Sequence, residues 1–316
     1  MEERYVGRSG LRVSRLGLGT LGWGRDTDEH EARDLLRLFV EAGGTLVDTA
    51  DSYGEGMAEE VLGALVGEVV DRSDLVICTK AGLGGDVSAG APARPDASAR
   101  SMLMALDRSL SRLGTDHVDL WLAHMWDPAV PVEETLRALQ AAVTTGRARY
   151  VGIADHAGWQ LATAAAGATR TGVPLVAAAT ELSLLQRASE AEFLPAATHH
   201  GVGVLAWAPL ARGVLTGKYR TAIPADSRGA STHLARWVAP YLGAEHRRVV
   251  QAVSTAAEGL GVAPMEVALA WVRDRPGVVS ALVGARTADQ LDAALDSEDL
   301  VLPPEIRAAL DDVSAR

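Results

Sequence analysis

The sequence predicts an α/β protein that folds as a closed (β/α)8 TIM barrel. Short apolar runs alternate eight times with longer segments whose apolar residues recur at helical spacing. The runs are apolar along most of their length, as in Val-Asp-Leu-Trp-Leu-Ala at 118–123, which is typical of parallel strands buried on both faces. No shift in composition divides the chain, so the sequence favours a single barrel that spans residues 1–316. A doubly wound sheet with two domains remains open on this pattern alone.

The predicted elements alternate as such a barrel requires. The eight apolar runs, interpreted as strands, cover residues 15–20, 45–50, 74–80, 117–124, 149–155, 175–182, 201–210 and 277–284. The helical segments that follow them cover residues 29–42, 57–67, 98–113, 132–145, 158–171, 189–199, 245–259 and 287–296. Turn-forming residues stand at the ends of the runs, and they mark the predicted boundaries.

Four segments fall outside the eight units. Residues 5–13 predict a short hairpin around Arg8-Ser9-Gly10 that covers the floor of the barrel. Extra helices are expected towards the C-terminus, of which residues 264–274 are one, with proline in the first turn. Residues 84–95 and 211–240 are predicted to be long loops, and loops of that length are usually functional or disordered.

The charge and the cysteine content exclude several classes of protein. Lys and Arg number 30 against 41 Asp and Glu, a formal net charge of −11. Such a chain repels phosphate backbones and anionic lipid, so neither nucleic acid nor a membrane is an expected partner. The single cysteine, Cys78, excludes an internal disulfide, and the sequence has no His-Glu-x-x-His motif, so no metal site is predicted. Without an apolar signal-peptide core or an apolar run long enough to span a bilayer, the protein is expected to be soluble and cytoplasmic.

Four polar side chains follow neighbouring predicted strands. Asp48 lies at the end of the second run, with Tyr53 five residues later, and Lys80 and His124 end the third and fourth runs. Active sites of such barrels lie at the carboxyl ends of the strands, so these side chains are expected to meet at one rim. Each residue alone is more often structural, but the four together suit the transfer of a proton to an alkoxide.

A tyrosine can supply that proton if its pKa is lowered. The ordinary pKa of tyrosine is about 10, and a nearby ammonium favours the phenolate. We therefore expect Lys80 to lower the pKa of Tyr53 and Asp48 to keep Lys80 charged and oriented. His124 is expected to orient a substrate carbonyl through a hydrogen bond.

The motifs around these residues resemble those of the aldo-keto reductase family. The resemblance is carried by Asp-Thr-Ala-Asp-Ser-Tyr-Gly at 48–54 with Glu-Glu-Val-Leu-Gly at 59–63, by Cys-Thr-Lys at 78–80, by Asp-Leu-Trp-Leu-Ala-His at 119–124, by Trp-Ala-Pro-Leu-Ala-Arg-Gly-Val-Leu-Thr-Gly-Lys-Tyr at 207–219, and by Gly-Ala-Arg-Thr at 284–287 with Gln290. The motifs are most similar to those of bacterial members that resemble potassium-channel β subunits. The resemblance implies a (β/α)8 barrel that reduces carbonyls with NADPH. It also implies a catalytic tetrad of Asp48, Tyr53, Lys80 and His124 with Tyr53 as general acid.

The family resemblance also implies where the cofactor binds. A Gly-x-Gly-like pair at 201–203 lies within a predicted strand, so a conventional dinucleotide fingerprint is not indicated. Trp207 is expected to stack on the nicotinamide, and Arg286 to meet the 2′-phosphate at a helix N-terminus. The remaining residues of the predicted cofactor site are Thr20, Asp48, Asp155, Ala208, Pro209, Leu210, Arg212, Gly213, Lys218, Arg228, Gly284 and Gln290.

Several positions depart from the family pattern. Ala154-Asp155 stands where relatives usually have Ser-Asn, Ala179 replaces an expected glutamine, and Ala294 an expected asparagine. We expect either weaker cofactor binding or a carboxamide whose NH2 donates to Asp155.

The substrate is expected to bind beside Tyr53 and His124. Trp23, Trp126 and Trp237 are predicted to line its pocket, which suggests an apolar or aromatic carbonyl compound or a sugar ring stacked on an indole.

Two other functions remain open on the sequence. One is a cofactor-sensing regulatory subunit with little turnover, and the other is a lyase or isomerase on the same barrel. The intact tetrad favours an NADPH-dependent oxidoreductase that acts on a small carbonyl substrate. The oligomeric state is open, with a homo-oligomer among the alternatives.

Overall fold

The computed structural model describes residues 1–84, 94–225 and 227–315. These residues form twelve strands: β1 (Glu3–Tyr5), β2 (Arg12–Ser14), β3 (Leu16–Gly19), β4 (Leu46–Asp48), β5 (Val76–Ala81), β6 (Leu83–Gly84), β7 (Arg94–Pro95), β8 (Val118–Ala123), β9 (Ala148–Ala154), β10 (Ala177–Glu181), β11 (Gly203–Trp207) and β12 (Val278–Val283). The same residues form eleven α-helices: α1 (Glu29–Glu41), α2 (Met57–Leu65), α3 (Ala99–Leu113), α4 (Val132–Thr144), α5 (Gly158–Arg170), α6 (Phe193–His200), α7 (Ala235–Val238), α8 (Ala244–Leu260), α9 (Pro264–Arg273), α10 (Ala288–Leu295) and α11 (Pro304–Ser314).

Eight parallel strands close into a barrel in the order β3-β4-β5-β8-β9-β10-β11-β12, with β12 paired to β3. The predicted (β/α)8 class is therefore confirmed. The register sets Asp48 beside Cys78, and Lys80 beside Leu122. The carboxyl ends of β4, β5 and β8 consequently lie together at one rim, where barrels carry their chemistry.

The floor of the barrel is closed by the N-terminal hairpin of β1 and β2, as predicted. Val6 and Val13 are fully buried against the side chains that fill the barrel interior. The turn lies so close to the starts of the strands that a Cβ on Gly7 would stand 2.5 Å from the carbonyl oxygen of Gly201. The amide of Arg8 donates to that same carbonyl oxygen at 2.8 Å. The hairpin is thus bonded directly to the barrel, at the end opposite the rim that carries Asp48 and Lys80.

The outer helices follow from capping residues and amphipathic spacing. Asp28 caps α1 by accepting a hydrogen bond from the amide of Glu31, and Leu35, Leu36 and Phe39 form the buried face of that helix. Gly114 ends α3 with a left-handed φ of 63°. Among the described residues no helix is both long and apolar enough to cross a lipid bilayer.

The segment predicted as one long loop after β11 is more ordered than expected. It contains α7 and short 3₁₀ turns, one of which covers Ala211–Thr216. Leu234, Val238 and Tyr241 are buried, so apolar side chains spaced along the segment fix it on the barrel. The other predicted loop, at 84–95, lies mostly outside the described residues.

Candidate active site

The carboxyl ends of β4 and β5 bring Asp48 and Lys80 into direct contact. Nζ of Lys80 donates to both carboxylate oxygens of Asp48 at 2.7 Å and to the carbonyl oxygen of Thr49 at 2.8 Å. The same Nζ lies 3.3 Å from the hydroxyl of Tyr53. The side chains of Lys80 and Asp48 are only 4% and 5% exposed. A buried ion pair therefore directs a positive charge at the phenol.

Tyr53 stands at the start of a strained turn between β4 and α2. Gly54, Glu55 and Gly56 have successive left-handed φ values of 58°, 55° and 100°. Glycine adopts these values readily, but a residue with a Cβ such as Glu55 does so at a cost of about 1–3 kcal/mol. The motif around Tyr53 thus places its two glycines where the backbone needs them.

Glu59 fixes the helix that follows this turn. Its carboxylate is fully buried, and it accepts from the hydroxyl of Thr79 at 2.6 Å and from Nε of Arg112 at 2.8 Å. Thr79 directly precedes Lys80, so Glu59 connects the element that carries Tyr53 to the strand that carries the lysine. Sequence reasoning did not assign this role. The sequence signal that could have indicated it is a glutamate at a position on the apolar face of a predicted helix, where a carboxylate needs a partner.

His124 follows β8 and completes the group. Its ring centroid lies 6.0 Å from that of Tyr53, and Nδ1 lies 3.4 Å from the hydroxyl of Ser52. Nε2 makes no hydrogen bond to any residue that the structure describes. Burial and the positive charge of Lys80 hold the pKa of His124 well below its usual range, so the imidazole is neutral. The four side chains predicted to form the tetrad therefore lie together.

The expected lowering of the pKa of Tyr53 is not what the structure gives. Burial raises the pKa of Tyr53 to about 12, and the nearby charge of Lys80 opposes that rise without cancelling it. Burial also disfavours the charged form of Lys80, but Asp48 together with Tyr53 and Cys78 outweighs burial and raises the pKa of the amine. The prediction of an acidified phenol was wrong because it counted the lysine and left out desolvation. At neutral pH the site holds a protonated tyrosine beside a charged lysine.

These groups line a cavity of about 410 Å³. Asp48, Tyr53, Lys80 and His124 are all exposed to it. Apolar side chains make up another part of its wall: Leu21, Leu83, Met125, Leu234, Trp237, Val238 and Leu282. Of the predicted substrate-pocket residues, Tyr53, His124 and Trp237 are in this lining.

A second cavity of about 420 Å³ shares part of its wall with the first. Most of the predicted cofactor residues line it: Ala208, Pro209, Leu210, Arg212, Gly213, Lys218, Arg228, Gly284, Arg286 and Gln290. Trp207 and Asp155 instead line the first cavity, together with the four residues of the predicted tetrad. The two cavities therefore adjoin each other between the tyrosine and α10, and we call them together the groove.

The second cavity is suited to an anion. Arg228 and Arg286 line it together, and burial and the charge of Arg286 lower the pKa of Arg228. Nζ of Lys218 lies beside Gly213, where an added Cβ would stand 3.3 Å from it. Three cationic groups beside a tight backbone turn would accommodate the phosphates of a dinucleotide.

Asp155 holds Trp207 in place. Nε1 of Trp207 donates to Oδ1 of Asp155 at 2.8 Å. Asp155 has a left-handed φ of 53°, and burial raises its pKa to about 6. The aspartate that replaces the usual asparagine therefore orients the indole that is expected to meet the nicotinamide.

Trp23 does not lie in the substrate pocket. Its side chain is 1% exposed and packs in the core, so the prediction for this residue was wrong. The loop after β3 folds back on itself, with a bridge between Trp23 and Thr27, and this carries the indole inwards. Thr20, predicted as a cofactor residue, is fully buried and donates its hydroxyl to the carbonyl oxygen of Asp48 at 3.1 Å.

Trp126 lies beside the pocket rather than in its wall. Its ring packs edge-on against His156 and Trp159, at centroid distances of 5.6 and 5.3 Å. It is not among the described residues that line either cavity. The predicted contact of Trp126 with substrate is thus not supported by its position.

Arg212 lines both cavities, and two nitrogens of its guanidinium bond to protein groups. Nη1 donates to the carbonyl oxygen of Trp237 at 2.7 Å, and Nη2 to Glu181 at 3.1 Å. Arg212, predicted as a residue of the cofactor site, thus lines the second cavity with a guanidinium that is paired with a carboxylate.

A closed barrel with a buried lysine–aspartate pair beside a tyrosine, at the carboxyl ends of its strands, defines the class as an α/β barrel whose site can donate a proton to a bound substrate. The chain belongs to the aldo/keto reductase family, whose family model matches residues 15–315.

Relatives align along nearly the whole chain. An uncharacterized oxidoreductase, YrpG, of Bacillus subtilis (strain 168) is 36% identical over 320 residues, which cover 99% of this chain and 96% of the relative. A probable voltage-gated potassium channel subunit beta of Arabidopsis thaliana is 34% identical over 306 residues, covering 95% of this chain and 92% of the relative. A putative voltage-gated potassium channel subunit beta of Schizosaccharomyces pombe is 33% identical over 321 residues, covering 98% of this chain and 92% of the relative.

Proposed function

We propose that this protein is an NADPH-dependent oxidoreductase that reduces the carbonyl of an aldehyde, a ketone or a keto-sugar to an alcohol. One observation carries the proposal. Lys80 contacts both the carboxylate of Asp48 and the hydroxyl of Tyr53, at the wall of a cavity that His124 also lines.

The residues of the site have complementary tasks in this reaction. Bound NADPH would supply the hydride, held by the groove that runs from Trp207 to Arg286. Tyr53 would donate its proton to the carbonyl oxygen, which becomes the hydroxyl of the product. Even with a pKa of about 12 the phenol is a stronger acid than an alcohol, so this transfer is favourable. The ammonium of Lys80, 3.3 Å away, would stabilise the phenolate that remains.

His124 would orient the substrate. With Nδ1 facing the hydroxyl of Ser52, Nε2 is available to donate a hydrogen bond to the carbonyl oxygen. A neutral imidazole can do this without competing with Tyr53 as the acid. The apolar wall formed by Leu83, Met125 and Trp237 would receive the rest of the substrate.

The proposal is tested by following NADPH consumption at the absorbance of the reduced nicotinamide. The panel comprises aromatic and aliphatic aldehydes, ketones and keto-sugars. Steady-state consumption with formation of the matching alcohol supports the proposal. If no member of the panel is turned over although NADPH binds, the assignment as a reductase is wrong.

A regulatory subunit that senses its cofactor is the second candidate. Relatives named as potassium channel β subunits favour it, and so do the alanines at three positions where cofactor contacts were expected. Ala154 lines the first cavity, Ala294 lines the second and Ala179 is buried, and a methyl side chain cannot hydrogen-bond a cofactor. A single slow turnover with tightly retained NADP+ would favour the sensor, whereas many turnovers per chain would favour the enzyme.

Replacing Arg286 by alanine is expected to weaken NADPH binding about 10- to 100-fold, because a charge-assisted hydrogen bond contributes about 1.5–3 kcal/mol. The affinity for NADH, which lacks the 2′-phosphate, is expected to change little. Fluorescence titration of both dinucleotides measures the difference. Arg170→Ala, at the far end of α5, is the matched control. Equal losses for NADPH and NADH would remove Arg286 from the 2′-phosphate site.

Replacing Asp155 by alanine is expected to weaken NADPH binding about tenfold, because both an acceptor for the carboxamide and the support of Trp207 are lost. Asp155→Asn keeps an oxygen for the indole and is expected to lose less. Titration of NADPH fluorescence measures both variants. An unchanged affinity of Asp155→Ala would exclude this residue from the cofactor site.

A further inference from the structure

The guanidinium of Arg212 lies inside a ring of aromatic side chains. Its Cζ is 5.9 Å from the ring centroid of Trp207, 5.2 Å from that of Trp237 and 5.4 Å from that of Tyr241. Glu181 supplies the counter-charge. We call Glu181, Trp207, Arg212, Trp237 and Tyr241 the Arg212 cluster. Cation–π attraction and ion pairing both favour a guanidinium at this position over a smaller cation.

The carboxylate of Glu181 is shared between two donors. Oε2 accepts from Arg212 at 3.1 Å and Oε1 from the hydroxyl of Tyr241 at 2.7 Å. The side chains of Arg212 and Glu181 are only 18% and 15% exposed. Each oxygen therefore has a partner in a largely dry environment, where such bonds hold their geometry.

The Arg212 cluster joins the barrel to the segment that covers the catalytic cavity. Glu181 and Trp207 end β10 and β11, whereas Trp237 lies in α7 and Tyr241 in the turn after it. Arg212 bonds to both sides, through Glu181 and through the carbonyl oxygen of Trp237.

This segment supplies part of the wall beside the catalytic group. Trp237, Val238 and Leu234 line the cavity that Tyr53 and His124 also line. Four residues of helix cannot hold such a position by themselves. The position of the wall consequently depends on its side-chain anchors.

We propose that Arg212 is a positioning residue for the substrate wall rather than a ligand of the cofactor phosphates. By holding the carbonyl of Trp237 and, through Glu181, the hydroxyl of Tyr241, it fixes α7 over the catalytic cavity. It thereby determines how well an apolar carbonyl substrate is held against Tyr53. This inference rests on the proposed reductase function for its substrate, but the arrangement itself can be tested without turnover.

The kinetic test compares Arg212→Gln with Glu181→Gln. Both variants are expected to raise KM for an apolar aromatic aldehyde about tenfold, since a displaced wall misplaces the substrate. The kcat at saturation and the Kd for NADPH are expected to change less than about threefold, because the tetrad is unaltered and the guanidinium of Arg212 bonds to Glu181 and Trp237. The double variant should lose little more than either single one, since both break the same connection. Arg236→Gln, the same change at an exposed position of α7, is the control and should match the unaltered protein.

The opposite pattern would identify a phosphate ligand. If Arg212→Gln weakens NADPH binding tenfold or more while Glu181→Gln leaves it unchanged or tightens it, the positioning role is wrong. Tyr241→Phe removes a single hydroxyl and is the mildest of the changes. It tests the same connection if Arg212→Gln or Glu181→Gln fails to fold. It should raise KM in the same direction by a smaller factor.

Hydrogen exchange separates this inference from the proposed function. Backbone amides at 235–241 are expected to exchange at least about tenfold faster in Arg212→Gln and Glu181→Gln than in Arg236→Gln, with no substrate present. Unchanged exchange would overturn the inference even if the protein is an active reductase. Faster exchange in a protein without turnover would support the anchoring role while the reductase proposal fails.

Discussion

Replacing Tyr53 by phenylalanine should lower kcat/KM for carbonyl reduction by about 10²–10⁴-fold, the usual contribution of a positioned general acid. The substitution removes the only atom of this side chain that can donate a proton, and it leaves the ring and its packing in place. NADPH affinity should stay within about threefold, because the loss concerns a step after binding. Consumption of NADPH and fluorescence titration measure the two quantities separately.

Tyr5→Phe provides a matched control. Tyr5 is exposed on β1, at the floor of the barrel, which is the end opposite the cavity. The same chemical change there should leave activity unaltered. If Tyr53→Phe keeps most of its activity, another group is the acid, and the role assigned to this tyrosine is wrong.

Replacing Lys80 by methionine should affect both activity and stability. The phenolate left by proton transfer loses the ammonium at 3.3 Å, and a loss of about 10²–10³-fold in kcat is expected. The carboxylate of Asp48, 5% exposed, loses its charged partner, and breaking a buried pair in this way costs about 3–5 kcal/mol. Steady-state kinetics and urea unfolding measure the two effects.

A double variant separates the two roles of the lysine. Lys80→Met with Asp48→Asn has no buried charge at this position, so the free energy of unfolding should recover by more than half. Activity should stay as low as in Lys80→Met. A double variant as unstable as the single one would show that packing, rather than charge, accounts for the loss.

The pH dependence of this pair has a definite sign. Burial alone would lower the pKa of Lys80, but Asp48 together with Tyr53 and Cys78 raises it above its unfolded value, so the stability contributed by the charged lysine is undiminished up to about pH 10. It is lost only as the pH rises through the folded pKa. Between pH 6 and 9 the stability difference between the unaltered protein and the double variant should therefore be nearly constant.

The fold and the catalytic group could be predicted because both depend on local pattern. Apolar runs identify the strands, and a parallel barrel necessarily brings the carboxyl ends of those strands together. Asp48, Lys80 and His124 each follow a recognisable run, so their meeting is a consequence of topology. The prediction needed no knowledge of side-chain packing.

What could not be predicted depends on contacts between residues that are distant in the sequence. Arg212 is paired with Glu181, 31 residues earlier, and no local motif announces that contact. Trp23 follows a strand, which is also where residues at the rim of the cavity stand in the sequence. Its loop folds back, however, and this places the indole in the core. The pKa of Tyr53 was misjudged for a related reason, since burial depends on every surrounding element.

The closed floor has a practical consequence for how the protein can be attached to a solid support. The amino group of Met1 donates to the carbonyl oxygen of Ala42 at the end of α1, on the side of the barrel that the hairpin covers. A tether joined to this face of the barrel would therefore leave the opposite rim turned outward. Immobilisation on beads or an electrode through that face should leave reactants free access to the cavity from the surrounding solution.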